Sequence, residues 1–180
     1  MPAQANTVAN SNKLPSQALG NATSETQFLG SDGNILTVYL PTSNKFVRGK
    51  SAAFTVWVQG YVTTGTTSNW TPKLYYGNST TIGSNTGIAA PSGVSLATLT
   101  RSWYIAATLN WDSGSKRLTG SFDSQIGDTY VAPASLSAVA TSVDLTAADI
   151  TTVGFSVTGI FGSTNASNTA VVDFFEIQST

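Results

Sequence analysis

Few side chains in this sequence could move a proton, because it contains no histidine and no cysteine. Their absence removes the commonest general base, the Ser-His-Asp and Cys-His constellations, thiolate nucleophiles and the commonest transition-metal ligand. What remains is a set of carboxylates: Glu25, Asp32, Asp112, Asp123, Asp128, Asp144, Asp149, Asp173 and Glu176. Glycoside hydrolysis would need two of them converging across a cleft at roughly 5 to 10 Å. Asp173 and Glu176 are three apart on one expected strand, and strict alternation assigns them to opposite faces, where they cannot pair. Asp112 falls in a turn and Asp123 on the strand that returns from it, neither in an apolar context that would raise its pKa. Asp32, Asp128, Asp144 and Asp149 fall in loops, where Asp is ordinary turn chemistry. The expectation is a protein without catalytic residues, not an enzyme.

Ligand-holding motifs are equally sparse. No loop has the dense D-x-D-x-D spacing of a calcium site, and the stretch from Asp144 to Asp149 is the best place left for a single structural ion. No G-x-x-x-x-G-K-[ST] phosphate cradle occurs. No cofactor and no metal are therefore expected. Asn-x-Ser/Thr triplets at Asn21, Asn69, Asn78 and Asn165 are what chance produces in a chain so rich in these residues.

The aromatic residues carry more information. Trp103 and Trp111 share a face with Ile105, Ala107 and Leu109, so both are expected in the core. Trp57 and Tyr61 lie opposite the row Phe54, Val56, Val58 and Val62, which places them on an outer sheet surface or at an interface with a partner. The competing reading is a carbohydrate-stacking platform of Trp57, Trp70, Trp103 and Trp111 with Tyr61, Tyr75, Tyr76 and Tyr104.

The elements that must position these groups are strands. Alternation is clear over residues 51–62, 102–112 and 116–126, the last two forming a hairpin about the turn Asp112-Ser-Gly-Ser115. Further strands are expected over 34–40, closed by Pro41, and over 70–76, 151–161 and 169–178. Residues 77–93 read as a long Gly/Asn/Thr-rich connection holding at most one short strand. Leu136 to Ala140 and Leu145 to Ile150 offer no more than a helical turn. Eight or so strands with long connections at 77–93 and 127–150 point to an all-β, two-sheet sandwich of jelly-roll type spanning residues 31–180.

Residues 1–30 differ. They are polar and nearly uncharged, with Lys13 and Glu25 their only charged side chains, and their apolar residues are too thinly spread for strand or helix periodicity. They are expected to form an extended N-terminal arm, with Leu14, Leu19, Phe28 and Leu29 as the side chains that would dock on a neighbour. The same residues lack the apolar stretch of a secretory signal.

Composition narrows the partners. At 180 residues the chain is long enough to bury a core without disulfides. Its formal charge of −1 and the absence of a basic stripe argue against nucleic acid, and no polybasic segment would hold an anionic membrane. No apolar run approaches the roughly 18 residues a spanning helix requires. Charged residues make up only 9% of the chain, against about a quarter in ordinary soluble domains. Such a surface is weakly self-repelling and suits a protein that lives assembled.

From Phe54 onward the chain resembles a family of small all-β structural proteins of tailed bacteriophages. The resemblance is carried by the hairpin Ser102-Trp-Tyr-Ile-Ala-Ala-Thr-Leu-Asn-Trp-Asp112 with Lys116-Arg-Leu-Thr-Gly-Ser-Phe122. Tyr130-Val-Ala-Pro133 and the closing pair from Val153 to Phe161 and from Asn165 to Ile177 extend it. It implies a jelly-roll capsid decoration, or cement, protein: a non-enzymatic virion component made in the host cytoplasm. Such a protein would bind the major capsid protein on the outer capsid surface, typically as a homotrimer. Trp57 and Tyr61, with the arm, would then be partner contacts. The alternative is a tail or fibre receptor-binding module, or a carbohydrate-binding β-sandwich.

Overall fold

The alternation of residues 52–63 becomes a strand paired on both sides. The computed structural model describes residues 7–10, 13–39, 52–77, 79–112, 117–135 and 154–179. In order, the strands are β1 (Thr7–Asn10), β2 (Leu19–Gly20), β3 (Thr26–Gln27), β4 (Thr37–Tyr39), β5 (Ala52–Thr63), β6 (Ser68–Tyr76) and β7 (Thr86–Ala89). They continue with β8 (Val94–Leu96), β9 (Thr100–Asp112), β10 (Arg117–Ile126), β11 (Thr129–Ser135), β12 (Gly154–Phe161) and β13 (Thr169–Ser179). Among the described residues a single 3-10 turn, Ile82–Ser84, interrupts them.

These strands form two antiparallel sheets. The larger runs β1-β13-β5-β9-β10-β11, with β2 also on β13. The smaller runs β3-β12-β6-β7, with β4 on β12 and β8 on β6. The expected two-sheet jelly-roll sandwich is what the chain forms. Residues 127–150 were expected as connection, yet 129–135 add a strand to the sheet edge. The turn residues 113–116 and the candidate helical turns at 136–140 and 145–150 lie outside the described residues, as does the Asp144–Asp149 stretch.

The inner faces meet in an aromatic core. Trp70 and Trp103 are buried with ring centroids 6.0 Å apart, and Phe161 packs on Trp70 at 4.7 Å. Val56, Val58 and Val62 from β5 and Ile105, Ala107 and Leu109 from β9 supply the aliphatic floor. Trp103 takes its expected core position, while the side chains of Phe54 and Trp111 lie outside the described residues. Pro72 sits mid-strand in β6, where a missing N–H would ordinarily cost a ladder bond. It is accommodated because β8 pairs with residues 68–70 and β7 with 74–76, leaving position 72 between them.

The described residues before position 40 run along both sheets. β1 and β2 extend the larger sheet beside β13, and β3 and β4 extend the smaller one beside β12. Phe28 is fully buried between Trp70 and Trp103, with ring centroids 6.3 and 6.1 Å away. Leu19 is buried too, and Leu14 packs against the core from its edge. The segment expected as an outlying arm thus supplies part of this chain's own core. Its thin scatter of apolar residues hid this, since Leu19 sits in a two-residue strand and Phe28 just beyond another, both too short to show a period.

Glu25 ties this segment to the smaller sheet. Its carboxylate accepts hydrogen bonds from Lys73 Nζ at 2.6 Å, Tyr75 Oη at 2.6 Å and Thr158 Oγ1 at 2.7 Å. Burial alone would raise its pKa, but these three donors and the Lys73 charge together hold it below the ordinary glutamate value. The same carboxylate pushes the Tyr75 hydroxyl upward, after burial as the larger cause.

Candidate functional site

The outer face of the larger sheet gathers the side chains that chemistry could use. Cross-strand register defines two rows on it. Glu176, Trp57, Ala106 and Asp123 face one another across β13, β5, β9 and β10. The neighbouring row is Phe174, Gln59, Tyr104, Gln125 and Tyr130. Trp57, Tyr61 and Tyr130 are 43%, 51% and 54% exposed, a large aromatic outlay for one sheet face.

Trp57 and Tyr104 stack, with ring centroids 5.3 Å apart and planes inclined by 20°. Trp57 Nε1 donates to Gln59 Oε1 at 3.3 Å, which orients both side chains. Two shallow depressions flank this pair. One, of about 180 Å³, is lined by Gln59, Tyr61, Tyr104, Gln125 and Asp173. The other, of about 320 Å³, lies over Thr55, Trp57, Phe174, Glu176 and Gln178.

Asp173 and Glu176 are both on this face, contrary to the alternation argument. β13 carries one extra residue: Val172 pairs with Gly60 but Phe174 pairs with Gln59, so Asp173 is a β-bulge. The bulge resets the period. Val172, Phe175 and Ile177 are buried while Asp173, Phe174 and Glu176 turn outward. Gly60 makes room for it, since a Cβ there would lie 1.8 Å from the Val171 carbonyl oxygen. An isolated glycine within the β5 row was the one sequence signal of such a close approach.

The electrostatics follow from these positions. The Tyr61 hydroxyl hydrogen-bonds Asp173, and that bond and the Asp173 charge raise its pKa. Burial raises that of Tyr104, with the Asp123 charge adding to the effect. Asp123 Oδ1 and Asp173 Oδ1 are enclosed by protein and accept no hydrogen bond among the described residues.

No protein-family model and no curated protein matches the sequence. Solved structures do. They include arcelin-5, a lectin-like defense protein from Phaseolus vulgaris, at 13% identity and a TM-score of 0.42, covering 97% of this chain and 98% of that one. Lectin I from Ulex europaeus, in complex with the methyl glycoside of α-L-fucose, matches at 13% identity and a TM-score of 0.39, covering 98% of each chain. An endo-1,3-β-glucanase from Streptomyces sioyaensis follows at 11% identity and a TM-score of 0.34, covering 99% of this chain and 98% of that one. Likenesses this loose carry nothing about ligand or activity.

The residues singled out in the sequence separate into two groups. Trp57 and Tyr61 lie on the outer face, beside both depressions. Leu19 and Phe28 are enclosed in the core, Leu14 is half-buried, and Leu29 is 38% exposed at a third, separate hollow. Tyr104 belonged to the carbohydrate-stacking reading of the sequence, whereas Gln59, Gln125 and Asp173 were missed as site residues. The two glutamines follow from alternation once Trp57 is taken as outward; Asp173 does not. The loop acid Asp32 has turn chemistry: it accepts from the Asn34 amide N at 3.0 Å and side chain at 3.1 Å. With Lys13 adding its charge, these bonds hold its carboxyl down at about 2. Among the described residues no three His, Cys, Asp or Glu side chains converge as a metal site, and no helix is long and apolar enough to cross a membrane.

Proposed function

We propose that this protein is a carbohydrate-binding β-sandwich that holds glycan chains on the outer face of its larger sheet, without turning them over. One observation carries the reading: the stacked Trp57–Tyr104 pair, its Trp57 exposed, with amide and carboxylate side chains on either side of it. Sugar rings have an apolar face edged by hydroxyls, so they bind where an aromatic plane is bordered by hydrogen-bonding groups. Gln59, Gln125, Asp173 and Glu176 are such a border. Binding without cleavage is favoured because Asp173 and Glu176 line different depressions, so neither depression presents the two carboxylates that glycoside hydrolysis needs. The test is a glycan array probed with the purified protein, followed by assay of bound glycans for new reducing ends. Binding that Trp57→Ala weakens, with no reducing ends released, is the expected result. Cleavage abolished by Glu176→Gln would replace binding by catalysis at the bulge carboxylates.

A second reading, a decoration protein on the outer capsid surface of a phage virion, draws on the same exposed aromatics and on the low charge. Under it, Trp57 and Tyr61 would press against a major capsid protein or a second copy in a trimer. It has less support from the N-terminal segment, since Leu19 and Phe28 are already enclosed by this chain. Saturable binding to undecorated shells, with no glycan bound, would favour it over the first.

A further inference from the structure

We infer that the outer face of the larger sheet takes a linear polysaccharide as a run of several linked sugars laid along β5 and β13, and not as a single terminal sugar. The inference rests on the glycan-binding reading above and adds to it the length and direction of the ligand.

Three observations combine. The first is that the two depressions make one track. Gln59 lines both, and its side chain accepts the Trp57 Nε1 hydrogen bond where they meet. On β5 the outward positions Thr55, Trp57, Gln59 and Tyr61 pass from one depression into the other. Tyr61 stands six positions after Thr55, a length of about 20 Å at the ordinary rise of a strand. Several sugar rings fit end to end along it.

The second observation concerns depth. The depressions hold about 180 and 320 Å³, below and at the foot of the roughly 300–1,000 Å³ in which a pocket encloses most of a small ligand. A single sugar here would keep much of its surface in water, with few contacts to offset the freedom lost on binding. A chain sums the same contacts over successive rings.

The third is the spread of the polar groups. β13 runs antiparallel beside β5, so Gln178 faces Thr55 at one end and Glu176 faces Trp57 further along. At the other end the bulged Asp173 meets the Tyr61 hydroxyl. Selecting one terminal sugar calls for donors and acceptors that converge on one ring. Here they lie on both sides of the Trp57–Tyr104 stack and continue along the strands, as the hydroxyls of a chain do.

The experiment uses the intact protein. Affinity electrophoresis in gels containing hydroxyethylcellulose, laminarin, xylan or galactomannan selects the chain, and titration calorimetry then measures its fragments from one sugar to six. Affinity is expected to rise roughly threefold with each added sugar, the gain from one more ring contact or modest hydrogen bond. It should level off once the fragment outgrows the track. Tyr61→Ala and Gln178→Ala, at opposite ends, should each weaken the hexasaccharide by about the same factor. A single sugar that binds as tightly as the hexasaccharide overturns the inference and leaves glycan binding intact. So does an effect confined to one end, or array binding to short terminal epitopes with no gel retarding the protein. No array signal and no retardation remove the glycan reading itself. The fragment series on the unaltered protein decides the matter even if a variant folds poorly.

Discussion

Trp57 lies face to face with Tyr104 across neighbouring strands, and the two rings form the one stacked aromatic pair described on the outer surface of the larger sheet. Since Trp57 is 43% exposed, its removal takes little from the core. Trp57→Ala is expected to weaken glycan binding roughly three- to tenfold, as loss of an aromatic contact of about 0.5–1.5 kcal/mol does. The unfolding midpoint should move little. Affinity electrophoresis in polysaccharide gels beside a urea melt reads both quantities. A variant that binds as before would move the site off this face.

Gly60 governs where Asp173 and Glu176 point. A methyl group at position 60 would collide with the Val171 carbonyl, so β13 must shift or lose its extra residue. Gly60→Ala is expected to cost about 1–3 kcal/mol, the usual range for forcing atoms into packed space. It should also weaken ligand binding more than its distance from solvent suggests, because the outward carboxylates move with the bulge. Chemical denaturation together with calorimetric titration would show the two effects together. Unchanged stability would mean that β13 tolerates a regular ladder.

Glu25 makes stability sensitive to acid. Its pKa is depressed in the folded protein, so its contribution is complete above the unfolded glutamate value near 4.5 and is lost as pH falls through the lower folded value. Stability is therefore expected to be level at neutral pH and to fall in that acidic window. Glu25→Gln, which leaves Lys73 half-buried without its counter-charge, should cost about 1–2 kcal/mol at neutral pH. The variant should also flatten the acid dependence. Thermal melts across pH for both proteins are the check, and parallel curves would assign the acid lability to other carboxylates.

Phe28 tests whether the N-terminal segment is structural. It fills the space between Trp70 and Trp103, and its truncation leaves a cavity among rings that cannot collapse freely. Phe28→Ala is expected to cost about 3–5 kcal/mol. Urea denaturation of the isolated chain measures it. A near-neutral effect would return residues 13–30 to the role of an arm that docks elsewhere.

How much of this was legible in the sequence depended on whether a period could run. Over β5 and β9 the alternation was long, and it placed Val56, Val58, Trp103 and Ile105 inward and Trp57 and Tyr61 outward, as the structure does. At Asp173 the period was broken by one inserted residue that has no signature of its own. Its only trace was Gly60 on the strand opposite. Leu19 and Phe28 were unreadable for another reason. Leu19 lies in a two-residue strand and Phe28 just after another, so burial there is set by what the segment lies against. Pro72 could have argued against a strand, and only the split pairing of β6 with β7 and β8 reconciles it.

The strand that begins the sequence order and the one that ends it lie side by side, Thr7 opposite Ser179 and Asn10 opposite Glu176. Synthesis therefore delivers the two halves of this seam at opposite times. Until β13 has emerged, β5 has only β9 beside it, β1 lacks its partner strand, and Phe28 has no closed shell around it. Folding of such a chain waits on its most distant pairings and is expected to be slow. For that interval the half-built sheet offers open edges to other nascent chains, with little charge to keep them apart.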